Sequence, residues 1–435
     1  MIQTILNTLQ SNEKLHAWNL RVIHKQSYQL YFVKQNLDMN REVETTEYVL
    51  NIFIKKNVNG EEKIGAANFK LYPSMTLMEV KEKIEQQTKL CDYTLNKVYK
   101  FPRKMNLKPI TKEVGFSSHT LKEAAFIAAD ALFEADKFDK GYINSSEIYI
   151  NFIDTKYYDS CGNVFLFSQE VGQIEFVATW AEKGEEVEIY KFIEFSELDS
   201  NLIQTAATKA LLEASDRIKA IKVSKINNCK LLLTEEFVKE YFYHFAYKAN
   251  VDAIYSKMSD VDTGYKFQEF SDKNDKISIR LEPTMDKSTK GASFDNEGIA
   301  LRRLKVIEKG VVKNLWGSNA KSQYLHKSVN GTFENIVVGA GTLKDEDLID
   351  ENYVEIVSVS GFEIDSLTGD FASEIRLAYL YQKNKEKVII TGGSFSGNVY
   401  DSINTVRFAN ETHQNNNFVG PTKILLDNVL FTGGE

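Results

Sequence analysis

Lys239-Glu240-Tyr241-Phe242-Tyr243-His244 lies inside a helical run from Thr234 to about Asn250, and the chain changes character on either side of it. Before it, strand-like and helix-like stretches alternate. After it, strand and turn patterns dominate, with glycine as punctuation. Thr234 is the expected N-cap, and Glu235 and Glu236 suit the positive end of the helix dipole. The run therefore opens the second of two domains, 1–224 and 225–435. Glu240 and His244, four residues apart, fall on one helical face a turn apart. An acid and an imidazole so placed serve a metal site, an acid–base pair or a plain surface contact.

Working back from that helix, residues 16–72 are strand-rich. Leu20, Val22 and Ile23 begin one strand, Tyr28–Val33 form another, and Tyr48–Ile54 and Ala67–Leu71 continue the pattern. Asn59-Gly60 is a hairpin dipeptide. Connections this short require antiparallel pairing. Capping boxes at Thr76-x-x-Glu79 and Thr120-x-x-Glu123 start helices near 76–91 and 120–136. Strands return at Ile143–Phe152, Val164–Phe167, Ile174–Ala178 and Val187–Phe195, with a turn at Glu182-Lys183-Gly184, before a helix near 200–221. The expected fold class is α+β: an N-terminal antiparallel sheet with helices on one face, then a mostly β domain opened by one helix. In that second domain Lys276–Leu281, Leu304–Ile307, Val354–Val359, Ile375–Tyr381, Lys387–Ile390 and Ile424–Leu430 read as strands.

Composition narrows the function classes. The 435 residues exceed what one core usually organises, and a 43% hydrophobic fraction with 27 Phe and 21 Tyr is ample for packed cores. A formal net charge of −8, with no Lys/Arg-rich run, argues against direct nucleic-acid binding. Cys91, Cys161 and Cys229 are far apart and lack CxxC spacing, so neither a disulfide framework nor a structural zinc site is expected, and a reducing cytoplasm fits best. Met1–Leu20 has no apolar signal core, and no stretch approaches the roughly 18 to 20 apolar residues of a membrane span.

The C-terminal half resembles the TldD/PmbA family (TldD/TldE), once described as modulators of DNA gyrase. The residues that carry the resemblance are Ser293-Phe294-Asp295-Asn296-Glu297-Gly298, Arg302-Arg303 and Ile307-Glu308-Lys309-Gly310-Val311-Val312. Leu367-Thr368-Gly369-Asp370-Phe371-Ala372-Ser373, Ile389-Ile390-Thr391-Gly392-Gly393 and Pro421-Thr422-Lys423-Ile424 follow in the family's order. Active relatives carry a His-Glu-x-x-x-His motif and a late cysteine that together bind zinc. Aligned through the second histidine, Lys239 stands at the first His position, while Glu240 and His244 match. No cysteine lies beyond Cys229, and His413 is the single substitute in Asn410–Gly420. A protonated lysine has no lone pair for a metal, and zinc needs three or four protein groups. Ligands five residues apart also sit about 140° apart on a regular helix.

The resemblance thus implies the PmbA/TldE-like branch: no zinc, no cofactor, and Glu240 and His244 as a remnant in a core or surface contact. It implies binding of a peptide or unfolded protein, as a homodimer or with a catalytic TldD-type subunit. Strand addition to an open sheet edge suits such binding, because main-chain hydrogen bonds grip any sequence. The alternatives are a metallopeptidase with a rearranged site using Glu240, His244 and His413, or a regulator of DNA gyrase. Thr391–Gly397 lacks the Lys-Ser/Thr of a P-loop and reads as a turn, as does Gly339-Ala340-Gly341. Asp345-Glu346-Asp347 with Asp350-Glu351 lacks the EF-hand register and reads as a solvated helical face.

Overall fold

In the computed structural model, the residues described are 1–105, 115–116, 118–224, 226, 229–269, 274–348, 352–382 and 386–434. The N-terminal half contains α1 (Ile2–Gln10), β1 (Ala17–Val33), β2 (Asn36–Val58), β3 (Glu61–Leu71), α2 (Leu77–Leu90), β4 (Asn96–Lys97), α3 (Leu121–Phe133), β5 (Gly141–Asp159), β6 (Val164–Glu182), β7 (Glu185–Phe195) and α4 (Ser200–Arg217). Its seven strands form one antiparallel sheet in the order β4-β3-β2-β1-β5-β6-β7.

The strands run longer than the sequence predicts. The two expected between residues 20 and 33 are one strand, β1, and those at 164–167 and 174–178 merge into β6. The polar residues between the apolar runs stay extended because they are paired, His24 of β1 on both sides with Thr46 and Asp154, and Ser168, Gln169 and Glu170 of β6 with β5. Both predicted hairpins form. Asn59 and Gly60 have φ of 54° and 87°, and Lys183 and Gly184 have φ of 55° and 83°, both residues positive as a two-residue turn of this hand requires.

All four helices cover one face of the sheet. Trp18, Leu20 and Val22 on β1 pack with Ile5 and Leu9 of α1 and Val80 and Ile84 of α2. Tyr28, Leu30 and Phe32, at the same parity further along that strand, pack with α3 and α4. Ala124, Ala128 and Ala131 on α3 and Ala207 and Ala210 on α4 are buried, and their small side chains let the two helices approach closely. Helices α2 and α3 each carry the predicted capping box, on Thr76 with Glu79 and on Thr120 with Glu123. The helices end at Leu90, Phe133 and Arg217, short of the expected bounds.

The C-terminal half starts with β8 (Lys230–Thr234), α5 (Glu236–Lys248) and α6 (Val251–Tyr255), and runs through β9 (Ile279–Glu282), β10 (Leu304–Glu308), β11 (Val311–Val312), α7 (Asn319–Tyr324), β12 (Asn335–Val338), α8 (Asp345–Leu348), β13 (Tyr353–Val359) and β14 (Asp370–Tyr381). It finishes with β15 (Val388–Ile390), β16 (Ser394–Asn398), α9 (Val399–Ser402), β17 (Arg407–Phe408), β18 (Thr412–Asn415), β19 (Phe418–Pro421), β20 (Lys423–Leu426) and β21 (Leu430–Thr432). One sheet has the order β11-β10-β9-β12-β19-β18. The other runs β17-β20-β8-β13-β14-β16-β21, with β15 paired to β14. Helix α5 lies in their shared core, where Tyr241, Phe242 and Phe245 meet Ile279, Val354, Phe408 and Phe418. As expected, this mostly β half is opened by one leading helix, α5; α6 to α9 are four to six residues long and too short for a periodic pattern to reveal.

The two halves meet through α4, whose Asp216 accepts from Tyr379 of β14, and also on the helix-free face of the N-terminal sheet. Arg21 and Tyr157 are paired across β1 and β5. Arg21 Nη1 donates to Asn296 Oδ1 at 2.6 Å, and Tyr157 Oη donates to the Glu297 carbonyl at 3.1 Å. Tyr157, Phe165 and Phe294 form a small aromatic cluster there.

Candidate functional site

The N-cap of α5 is Glu235, not the predicted Thr234, which is the last residue of β8. Glu235 has φ 53° and ψ −124°, a backbone conformation rare outside glycine, and its side chain makes no capping bond. Its carboxylate is instead ion-paired with Lys209 of α4.

One turn into the helix, Lys239 Nζ donates to Asn417 Oδ1 at 2.9 Å. Burial pulls the Lys239 ammonium below its ordinary pKa, with Glu240 and Glu194 opposing. Burial raises the Glu240 carboxyl, and Lys239 holds it back. His244 is only 4% exposed, set edge-on against Phe245 and Tyr400. Its Nε2 lies 3.1 Å from Tyr400 Oη, and its Nδ1 is buried without a partner. Burial, assisted by the charge on Lys248, lowers its pKa to about 4, so the ring is neutral at pH 7. Lys248, buried a turn further on, donates to the carbonyls of Met258 and Leu367 at 3.1 and 3.0 Å.

The residues singled out in the sequence are not brought together. No hydrogen bond or ion pair among the described residues joins Glu240, His244 and His413. His413 sits on the edge strand β18, its ring against Phe418 and its Nδ1 buried and unpartnered. Among the described residues no three His, Cys, Asp or Glu side chains group as metal ligands. Zinc does not fit the remnant: one position carries an ammonium bonded to an amide, and the imidazole is turned to a tyrosine within aromatic packing.

The other patterns resolve as structure. Gly392 and Gly393, with φ of 77° and 74°, turn the chain from β15 into β16, and a Cβ on Gly393 would meet the Thr432 carbonyl oxygen at 2.2 Å. Asp345 ion-pairs with Lys423 at 3.0 Å, so it is not simply a solvated charge. Asp350 and Glu351 of that acidic run lie outside the described residues. Cys91 is buried, Cys161 exposed and Cys229 half-buried, and none of the three is in a disulfide.

A feature that sequence reasoning missed is a cleft of about 550 Å3 between α4 and the face formed by β8, β13 and β14. Gln204, Thr208, Leu212 and Glu213 line one wall, and Phe237, Glu355, Val357 and Tyr379 the other. The clue in the sequence was Glu355, a carboxylate inside the apolar strand Tyr353–Val359.

Residues 226–433 match the PmbA/TldA metallopeptidase C-terminal domain. The chain carries, in its C-terminal half, a domain of the TldD/PmbA family. Over nearly its whole length it shares the fold of TldE from Thermococcus kodakarensis (TM-score 0.77, 14% identity, 99% of this chain and 100% of that one). It is equally similar to two proposed modulators of DNA gyrase. That of Thermotoga maritima gives a TM-score of 0.79 at 16% identity over 100% of both chains. That of Bacteroides thetaiotaomicron gives 0.75 at 18% identity over 99% and 98%. An uncharacterized protein of Methanocaldococcus jannaschii is 26% identical over 167 residues, 35% of this chain and 39% of that protein's length.

The TldD/PmbA segments that carry the likeness have clear structural work in this chain. Asp295 Oδ1 accepts the backbone N–H groups of Glu297 and Ile299 at 2.9 Å each, and Oδ2 that of Thr332 at 3.0 Å, so the 293–298 loop is fixed where the N-terminal sheet lands on it. Asp365 caps the turn at Leu367-Thr368, and Gly369 there has φ 79°.

Proposed function

We propose that this chain is a non-zinc, TldE-like member of its family that binds extended peptide, either as a homodimer or beside a catalytic TldD-type subunit. The observation that carries the reading is the pair of contacts on α5, Lys239 with Asn417 and His244 with Tyr400, which engage both positions where a zinc-binding relative needs imidazoles. A polypeptide-binding role is supported by an open edge. Strand β2 pairs with β3 only from Tyr48 onward, so among the described residues Asn36–Glu47 have β1 alone as neighbour. Such an edge offers unpaired N–H and C=O groups to an incoming strand. The proposed setting is the cytoplasm, in keeping with three cysteines that form no disulfide; no helix among the described residues is long and apolar enough to cross a membrane.

The test is a digestion assay with unfolded casein, run on the chain alone and with a TldD-type subunit carrying the intact motif, beside a metal analysis. The chain alone should be inactive and hold no stoichiometric zinc. One zinc per chain, with activity lost in His244→Ala, would reject the reading. The descriptions of two structural relatives suggest a second reading, regulation of DNA gyrase; a supercoiling assay unchanged by excess protein removes it.

A further inference from the structure

We infer that the cleft between α4 and the C-terminal sheet is a pocket for a basic side chain, that of arginine or lysine in a bound peptide. The inference rests on the peptide-binding reading and assigns it a specificity element away from α5's remnant motif.

Four carboxylates line the cleft, Glu213, Asp216, Glu235 and Glu355, against one ammonium, Lys209. Three of the acids have cationic partners. Glu235 pairs with Lys209, Glu213 with Lys191 at 2.9 Å, and Asp216 accepts from Tyr379 Oη at 2.7 Å with Lys387 at 3.9 Å. Glu355 has no ion pair among the described residues. Its neighbour is the Tyr381 hydroxyl, and Lys423, Lys387 and Lys209 act on it only at longer range. A carboxylate held partly out of water gains most from a cation that arrives with its own hydrogen bonds.

The remaining walls suit the stem of such a cation. Leu212, Phe237 and Val357 offer apolar surface, the Tyr379 ring an aromatic face, and Thr205, Thr208 and Gln204 hydroxyl and amide groups for the head. Arginine and lysine combine an aliphatic stem with a charged tip in this way, and a guanidinium also stacks on aromatic rings. The volume of about 550 Å3 exceeds one side chain and leaves room for the peptide on either side. An anionic ligand is disfavoured, since Lys209 is already neutralised by Glu235.

The experiment is calorimetric titration of the full chain with N-acetyl-arginine methylamide, its norleucine counterpart, agmatine and an unfolded casein peptide. Thermal melting is followed in parallel. The arginine ligand should bind at least ten-fold more tightly than norleucine. Glu355→Gln should abolish that preference without moving the melting transition, and Thr208→Lys, on the partly exposed wall of α4, should do the same. Equal binding of arginine and norleucine, or a preference that survives both variants, overturns the inference. Binding of agmatine that depends on Glu355, with no binding of any peptide, keeps the pocket and overturns the peptide reading. Binding of casein peptide that is blind to arginine and to Glu355 does the reverse.

Discussion

His244 shows how far a local pattern reaches. Its spacing from Glu240 placed both on one helical face, but its chemistry is set by Tyr400, 156 residues away, which no local pattern could disclose. The resemblance to the family's motif does single out Lys239, because a change from imidazole to ammonium is visible in a single letter. Restoring that letter should not restore a zinc site. Lys239→His is predicted to bind no stoichiometric zinc by metal analysis, since His244 remains packed against Tyr400 and no third ligand is grouped with it among the described residues; one zinc per variant chain would contradict this. The same burial makes a pH prediction. Below its ordinary value of 6.5 the unfolded chain protonates this histidine, whereas the folded chain does so only near 4, so its contribution to stability is lost as pH falls across that window. The loss is on the order of 3 kcal/mol at most. In urea denaturation from pH 7 to 4, His244→Phe should gain on the parent as pH falls; parallel curves would show the histidine is not held neutral.

Elements were read best where chemistry is local. The Thr120–Glu123 capping box forms as predicted, and Thr120→Ala should cost about 1 kcal/mol. Hydrogen exchange should register it as faster exchange over the first turn of α3 with α4 unchanged; no change would mean the cap is redundant with packing. The hairpin dipeptides were equally legible, because positive φ at two successive residues has few sequence solutions. Helix α1 is absent from the expected elements although Ile2, Ile5, Leu6 and Leu9 keep helical spacing, because nine residues hold barely two repeats of that period. The long strands were read as pairs of short ones because residues such as Lys25 and Gln26 look like breaks, and only pairing with β2 and β5 makes them strand.

At the scale of the whole molecule, the antiparallel N-terminal sheet and the β-rich C-terminal half follow from patterning, whereas their meeting surface does not. That surface depends on Gly298, where a Cβ would lie 2.4 Å from Tyr157 Oη and φ is 81°. Gly298→Ala should therefore destabilise the chain by about 1–3 kcal/mol in urea; an unchanged midpoint would show that the contact yields freely. Beside it, burial raises Glu297 to about 7, with the N–H of Asn319 opposing. Here the folded chain keeps a proton that the unfolded chain releases near 4.5, so this group's stabilising contribution is lost as pH rises from 4.5 to 7. Glu297→Gln should gain on the parent over that range. Of the cleft the sequence held only the trace of Glu355, for the same reason as the meeting surface, since its walls come from α4, from β8 and from strands more than a hundred residues later. The central claim is that a family metal site has been dismantled on α5. Its most direct test is elemental analysis of the purified chain after dialysis against a slight excess of zinc. Far less than one zinc per chain, unchanged in His244→Ala, is the predicted result; one tightly held zinc that is lost in His244→Ala would contradict it.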